Sequence, residues 1–312
     1  MAKKKAKNKG SLSTVVFILL LIYGIFVNPD ILNQIIIESP STITQSQPTA
    51  SPSESTPNQD ELKIHIIDVG QADSILITQK GKAMLIDGGN NSDGKLVVNY
   101  LKSQNVSTLE YVIGTHAHED HIGGLDTVIK NFDVKTILMP NVMHDTKTFR
   151  DVLSAIEDKN LSVTTPKVGN TYNLGDAKFT ILSCKNEDTD ELNLTSIVIR
   201  LEFGAESYIF CGDAEKENEY DMLKAGLTLM SNVIKVGHHG SSTSSSKEFI
   251  EAVNPEIAII SCGEDNDYGH PHKETLTLLN QLGIKVYRTD ISGHIVVTSN
   301  GVKHTISTEK GE

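Results

Sequence analysis

The hydrophobic rhythm of the chain changes three times. Residues 12–27 are almost continuously apolar, interrupted by Ser13, Thr14, Tyr23 and Gly24, and a shorter apolar run at 31–37 follows the break at Asn28-Pro29-Asp30. Residues 39–60 are rich in Ser, Thr, Pro and Gln and have almost no large apolar side chain. Such a stretch buries too little surface to offset chain entropy and reads as a linker. From Leu62 onward, short β-branched runs alternate with helical spacings. Strands are expected at 62–69, 74–78 and 83–86, a helix at 96–104, a strand from Tyr111 and a helix at 125–132. Further on come strands at 178–182, 196–201 and 207–210, a helix at 215–225, a strand at 233–236 and a helix at 247–253. Strands at 257–261 and 286–287 flank a helix at 274–282, and 295–298 with 303–306 forms a hairpin turning at Asn300-Gly301. This alternation predicts an α/β domain whose sheets are covered by helices.

The first apolar run follows Lys3, Lys4, Lys5, Lys7 and Lys9. It is short for a spanning helix, which needs about 17–25 apolar residues, and no small-x-small cleavage site follows it closely. An uncleaved signal anchor over 11–38 is therefore expected, behind a basic cytoplasmic tail at 1–10. The lysines place the N-terminus inside. This predicts a single-pass membrane protein with an extracellular catalytic domain at 61–312; secretion after signal cleavage is the alternative. Behaving as a flexible coil, the linker at 39–60 spans on the order of a few nanometres. The domain, about 250 residues, is long enough for one sizeable core.

The chemistry concentrates in Tyr111-Val-Ile-Gly-Thr-His116-Ala-His118-Glu-Asp120-His121-Ile-Gly-Gly-Leu125. An apolar strand runs into three histidines and an aspartate and then into a helix, so the cluster occupies the loop at a strand's C-terminal end, where α/β folds build ligand sites. His116 and His118, two apart in an extended segment, project to one side and can share a metal ion. Asp120 and His121 can reach a second ion. This nitrogen and carboxylate mixture suits Zn²⁺, Mn²⁺ or Fe²⁺. Gly123 and Gly124 let the helix backbone approach the loop closely.

Further polar clusters follow other strands. Cys211-Gly212-Asp213 ends one; Val236-Gly-His238-His239-Gly-Ser241-Ser-Thr243-Ser244 ends the next; Tyr268-Gly-His270-Pro271-His272 lies beyond a third. Asp213 suits a helix N-cap or a metal ligand. The backbone and hydroxyls around Ser241 can hold an anionic phosphate. One of His238 and His239 can bind metal or protonate a leaving oxygen, and His239 is expected to face the substrate. His272 reads as a cap for the helix beginning near Lys273, and His144 as a solvated loop residue. Asp68, Asp73 and Asp87 sit at turns beside strands; Asp87 is expected to hold a ligand histidine in position, and Asp68 to do the same. Cys184, Cys211 and Cys262 have no Cys-x-x-Cys spacing and read as small buried apolar residues.

These motifs, in order and with Asp68-Val-Gly-Gln-Ala-Asp73-Ser74 and Leu85-Ile-Asp87-Gly-Gly, resemble the metallo-β-lactamase fold superfamily. His-His-Gly-Ser and Tyr-Gly-His-Pro point to the hydrolase domain of the ComEC family of competence DNA-uptake proteins. The likeness runs from about Leu62 to the C-terminus. It implies a four-layer αββα sandwich, two sheets face to face with helices outside. It also implies two divalent ions, Zn or Mn, held by His116, His118, Asp120, His121, Asp213 and His270, with Asp213 between them and His270 the last ligand of the second. Where the superfamily usually has another histidine, this chain has Asn193, which can offer its amide oxygen or position a water; the ComEC-like branch also tends to have Asn there.

Two such ions lower the pKa of a shared water and steady the entering and leaving oxygens. Asp120 is expected to orient that water as well as bind metal. The resemblance implies phosphodiester cleavage with DNA as first substrate. Charge restrains this. The chain carries −12, and residues 1–60 contribute five lysines against four acidic residues, so the domain itself carries −13 and has only Arg150, Arg200 and Arg288. Nucleic-acid binders ordinarily show a basic footprint, so a short strand end entering the metal pocket fits better than a long duplex gripped by its backbone. Alternatives are another extracellular ester, such as teichoic-acid phosphocholine, a lactone or a β-lactam, and a binding module with a decayed metal site. No Walker pattern or Gly-x-Ser-x-Gly competes, and no nucleotide cofactor is expected.

Overall fold

Alternating side chains divide the core into three parts. The structure is a computed structural model that describes residues 60–186 and 189–311, all within one compact unit, Thr56–Glu312. The expected anchor at 11–38 and, but for Asp60, the expected linker at 39–60 lie outside the described residues. Among the described residues no helix is long and apolar enough to cross a membrane.

The chain runs β1 (Leu62–Ile66), β2 (Ile75–Gln79), β3 (Lys82–Ile86), α1 (Gly94–Ser103), β4 (Thr108–Ile113), α2 (Glu119–Ile122), α3 (Leu125–Asn131) and β5 (Asp133–Leu138). It continues through α4 (Lys147–Asp158), β6 (Val163–Thr164), β7 (Thr171–Leu174), β8 (Ala177–Ser183), β9 (Val198–Phe203), β10 (Glu206–Phe210), α5 (Lys216–Lys224) and β11 (Val233–Lys235). Last come α6 (Lys247–Val253), β12 (Ile257–Ile260), α7 (Lys273–Gln281), β13 (Lys285–Arg288), α8 (Thr289–Ser292), β14 (Ile295–Ser299) and β15 (His304–Thr308).

One sheet has the order β15-β14-β1-β2-β3-β4-β5-β6 and the other β13-β12-β11-β10-β9-β8-β7. Ile64, Ile75, Met84 and Ile86 of the first meet Phe179, Ile199, Leu201 and Tyr208 of the second in a core between the sheets. The alternate residues face outward. Leu76, Leu85 and Val112 pack under Val98, Val128 and Val152 of α1, α3 and α4. Val198, Ile209 and Ile234 pack under Met222, Phe249 and Leu279 of α5, α6 and α7. A period of two gives each strand two apolar faces, and both are covered. The layers are those the family resemblance implied, helices over two facing sheets.

The hairpin forms as expected, with Ser299 paired to His304. Other expectations shift: β4 begins at Thr108, before Tyr111, and β9 runs to Phe203. Not foreseen were β5, β6, β7 and the long α4. Helix α4 had a readable signal, since Phe149, Val152, Ala155 and Ile156 lie on one buried face and the Thr146 side chain accepts from Phe149 N at 3.3 Å. Strand β6 has only two residues, both exposed, which leaves no periodicity to read.

Within each sheet the strands that feed the site run parallel: β3, β4 and β5 in one, β10, β11, β12 and β13 in the other. Their C-terminal ends therefore open on one edge of the sandwich. The close approach foreseen at Gly123 and Gly124 occurs: a Cβ on Gly124 would stand 2.2 Å from Gly88 O and one on Gly123 2.3 Å from Asn91 N. This packs α3 against the β3 loop.

Phe179 is fully buried between the sheets, edge-on to Tyr111 at 5.2 Å and stacked on Tyr172 at 5.1 Å. Phe179→Ala is expected to lower the unfolding free energy by about 3–5 kcal/mol, measured by urea denaturation; a loss under 1 kcal/mol would show that this layer does not couple the sheets.

Candidate metal centre

Five strand ends contribute. Asp87 follows β3, the His116 to His121 loop follows β4, Asp213 follows β10, His238 and His239 follow β11, and the loop to His270 follows β12. Among the described residues a compact donor group of Asp73, Asp87 and His121 lies behind the site, and two more face it: His116, His118 and Asp213 in one, Asp120, His121, Asp213 and His239 in the other. Asp213 belongs to both. Its Oδ1 lies 3.1 Å from His121 Nε2 and 3.6 Å from His239 Nε2, and its Oδ2 lies 3.9 Å from His116 Nε2. One buried carboxylate thus faces two nitrogen clusters, one oxygen to each.

The far side of the His116, His121 and His239 imidazoles is held. Asp87, fully buried, accepts from Thr115 N at 2.8 Å and Thr115 Oγ1 at 2.7 Å, and its Oδ2 lies 2.8 Å from His121 Nδ1. That fixes the proton on Nδ1 and turns Nε2 into the site. His239 Nδ1 donates in the same way to Ser261 O at 3.0 Å, and its Nε2 reaches Asp120 Oδ2 at 3.2 Å. His116 Nδ1 meets Thr115 Oγ1 at 3.1 Å, and its Nε2 faces His118 Nδ1 at 2.9 Å. The turn that delivers His238 and His239 places both in the left-handed region, φ 49° and 50°. Residues other than glycine occupy it at a cost of about 1–3 kcal/mol, tolerated where surrounding structure imposes it.

Charge follows burial and proximity. Burial would raise the pKa of Asp213, but His121 and His239 hold it well below the usual carboxylate range. Burial and the neighbouring His121 push His116 well below the ordinary imidazole value, and burial lowers His118. Burial disfavours a charged His121, yet Asp213, Asp120 and Asp87 together raise its pKa well above normal. An ionised carboxylate and neutral imidazoles at His116 and His118 are the states in which these groups ligate metal; around His121 the carboxylates call for a positive charge.

The residues fit divalent ions. His121 Nε2, Asp213 Oδ1 and Asn193 Oδ1 are buried without hydrogen-bond partners. A buried polar atom left unpaired costs about 1–3 kcal/mol, and a cation beside His121 Nε2 and Asp213 Oδ1, which share a donor group, would satisfy both. Two imidazoles and one or two carboxylates per group match Zn²⁺, Mn²⁺ or Fe²⁺.

Some expected residues stand elsewhere. His270 is outside both donor groups; it flanks the pocket, with Nδ1 3.3 Å from Gln71 Nε2 and its ring packed on Tyr268. Burial and His239 and His238 lower its pKa to about 4. His239 is buried beside Asp120 and lines the pocket together with His238, which is half-buried, its Nδ1 3.0 Å from Thr243 Oγ1 and 3.4 Å from Glu215 Oε1. Ser241 Oγ turns into its own loop, accepting from Thr243 N at 3.2 Å. Asn193 Nδ2 donates to Glu215 Oε1 at 3.2 Å. Asp68 caps its own turn, accepting from Gly70 N, and its amide donates to His294 Nδ1 at 2.8 Å, so it does not take the supporting role expected of it. His272 occupies the N-cap of α7, but its Nδ1 accepts from Ser242 N at 2.9 Å instead of capping the helix. The three cysteines are buried and free, as expected.

Sequence reading missed Lys235. It is buried at the end of β11, donates to Asp73 Oδ2 at 2.7 Å and to Val236 O at 3.0 Å, and Asp73 Oδ1 lies 3.7 Å from His239 Nδ1. Burial would lower the lysine pKa, but Asp73 raises it above the ordinary value. The signal was a lone lysine in the apolar run Val233-Ile234-Lys235-Val236. Gln71 was missed as well; with Glu119 and Tyr268 it helps to line a pocket of about 280 Å³ above Asp120, Asp213 and His238.

A sandwich with donors at one edge, two nitrogen clusters and a shared carboxylate defines a metal-dependent hydrolase class. The Metallo-beta-lactamase superfamily model matches residues 67–264, and the chain belongs to that superfamily. Among curated relatives, ComE operon protein 3 of Bacillus subtilis is 33% identical over 75% of this chain and 33% of its own length. Recombination protein 2 of Haemophilus influenzae is 30% identical over 75% of this chain and 28% of its own. Competence protein ComA of Neisseria gonorrhoeae is 28% identical over 75% and 32%. These relatives are ComEC-family competence proteins, and the chain spans about a third of their length. Among solved structures, the metallo-beta-lactamase fold protein YhfI of Bacillus subtilis superposes with TM-score 0.52 at 13% identity, covering 77% of this chain and 100% of its own. CmlA, a diiron beta-hydroxylase from Streptomyces venezuelae, superposes with TM-score 0.51 at 15% identity over 77% and 54%. At such identity these two share the fold alone.

Asp87→Ala frees His121 Nδ1 and is expected to weaken metal binding about 10–100-fold, read by competition with a chelator; unchanged affinity would remove Asp87 from the support of the centre. Lys235→Met strands Asp73 in the interior and is expected to cost about 3–5 kcal/mol in urea unfolding, with much of the loss recovered in Lys235→Met, Asp73→Asn.

Proposed function

We propose that the chain is a binuclear metal-dependent phosphodiesterase acting on DNA or nucleotide ends. The observation that carries this reading is the division of the Asp213 carboxylate between two buried histidine clusters beneath an open pocket. Divalent ions there would lower the pKa of a water and neutralise charge on phosphoryl oxygens. Asp120, half-buried with Oδ2 toward His239, is placed to orient the water and accept its hydrogen bond. His238 lines the same pocket with Nδ1 toward Glu215, a position that suits donation to the leaving oxygen. This assigns the general acid to His238 and a ligand role to His239. The names of the competence and recombination relatives support DNA as the substrate. The lysine-flanked apolar run at 12–27 supports a membrane anchor with this domain on the outer face.

The domain charge of −13 favours a second reading, a less charged cell-surface ester. The deciding assay sets bis-p-nitrophenyl phosphate and labelled single-stranded DNA beside a lactone panel, with bound Zn, Mn and Fe quantified. About two metals per chain are expected, with DNA cleavage falling by at least a hundredfold in Asp120→Ala, His121→Ala. Lactone turnover without DNA cleavage would move the assignment to the second reading; metal-free protein with no turnover would end the enzyme reading.

A further inference from the structure

The pocket has one wall that neither metal binding nor core packing uses. Tyr268 is 69% exposed. Its ring lies nearly parallel to that of His270, 5.6 Å away at 19°, and His270 is nearly parallel to His239, 6.2 Å away at 24°. A ladder of rings thus rises from the buried donors to solvent and ends in an open tyrosine face. The loop beneath is pinned. Asn266 Nδ2 donates to the carbonyls of Gly263 and His270 at 2.9 and 2.6 Å, its Oδ1 accepts from His270 N at 2.9 Å, and Tyr268 O accepts from His272 Nε2 at 3.2 Å. A flat aromatic held on a rigid loop loses little conformational entropy when something planar docks on it. The same loop bears the exposed Glu264, Asp265 and Asp267 and has no Lys or Arg between Gly263 and His272, so a phosphate group is repelled there. A single open face, with no second ring enclosing it, fits a planar group better than a quaternary ammonium, which aromatic cages surround.

We infer that Tyr268 is a stacking platform for the terminal nucleobase of a single-stranded nucleic acid, and that the acidic loop selects an end lacking an outer phosphate. This rests on the phosphodiesterase reading and names the part of the substrate that the pocket recognises. Stacking on the ring sets the first internal phosphodiester over the two donor groups. It also explains how an acidic domain can hold a polyanion: it grips one base at the end and leaves the rest of the backbone outside.

The test uses the full chain loaded with Mn²⁺ and single-stranded oligonucleotides that end in a base, in an abasic residue, or in a base with a terminal phosphate. The readout is the ratio of kcat/KM between base-bearing and abasic ends. It is expected to be about tenfold in the wild type, close to one in Tyr268→Ala, and restored in Tyr268→Trp. A terminal phosphate is expected to lower kcat/KM. Independently, 2-aminopurine at the strand end is expected to be quenched by metal-free wild-type chain and not by Tyr268→Ala. DNA cleavage with the same ratio in both proteins would overturn the platform and leave the phosphodiesterase reading standing. Wild-type turnover of bis-p-nitrophenyl phosphate without DNA cleavage would end the nucleic-acid reading and the platform together. Selective cleavage of p-nitrophenylphosphorylcholine, lost in Tyr268→Ala, would replace the nucleobase by a quaternary ammonium group.

Discussion

A carboxylate buried among imidazoles is the constraint around which this domain is built. Asp213 is 2% exposed, and His116, His121 and His239 each present a ring nitrogen within 3.9 Å of one of its oxygens. Taking those groups out of water is expensive unless charge and hydrogen bonding are matched. The arrangement therefore demands ligands or partners for every side of every ring. No single loop could supply them. They converge because parallel strands in two facing sheets end at the same edge, and helical crossovers return each strand in the same direction.

The supporting residues follow from that demand. Asp87, Thr115 and Ser261 each hold the ring nitrogen that faces away from the centre, so that the other nitrogen points inward. Lys235 answers Asp73 just behind His239. Acidic groups near the centre would otherwise repel one another, and a fully buried lysine is a structural means of placing positive charge where no solvent reaches. Gly240 lets the second loop close on the third: a Cβ there would stand 2.6 Å from Pro271 Cβ. The loop carrying His238 and His239 and the loop carrying Tyr268 and His270 are consequently one packed unit.

The superfamily hosts many hydrolytic chemistries on one scaffold, and fold alone does not select among them. What distinguishes this chain lies around the donors. Asn193 stands where the superfamily usually has another histidine, and its amide oxygen is buried without a partner. The pocket rim combines glutamine, tyrosine and acidic side chains in place of a basic groove. The chain matches only about a third of the length of its competence relatives, so the chemistry assigned to it must be argued from its own pocket.

Local pattern alone determined the strands and helices whose side chains alternate strongly, the grouping of His116, His118, Asp120 and His121 as candidate metal ligands, and the partnership of Gly123 and Gly124 with a close backbone approach. These depend on spacing within a few residues. Helix α4 carried a readable period that the polar stretch before it obscured, while β6 was too short to carry any. Tertiary structure alone decided the rest. That His239 joins the candidate donors while His270 stands at the rim, and that Asp68 turns into its own loop and meets His294, depend on distances between residues far apart in sequence, whereas the place of Asp213 between the clusters was already implied by the family resemblance. The role of Lys235 was hidden for the same reason: a lysine in an apolar strand reads as an edge position until the partner 162 residues away, Asp73, is seen to meet it inside the protein.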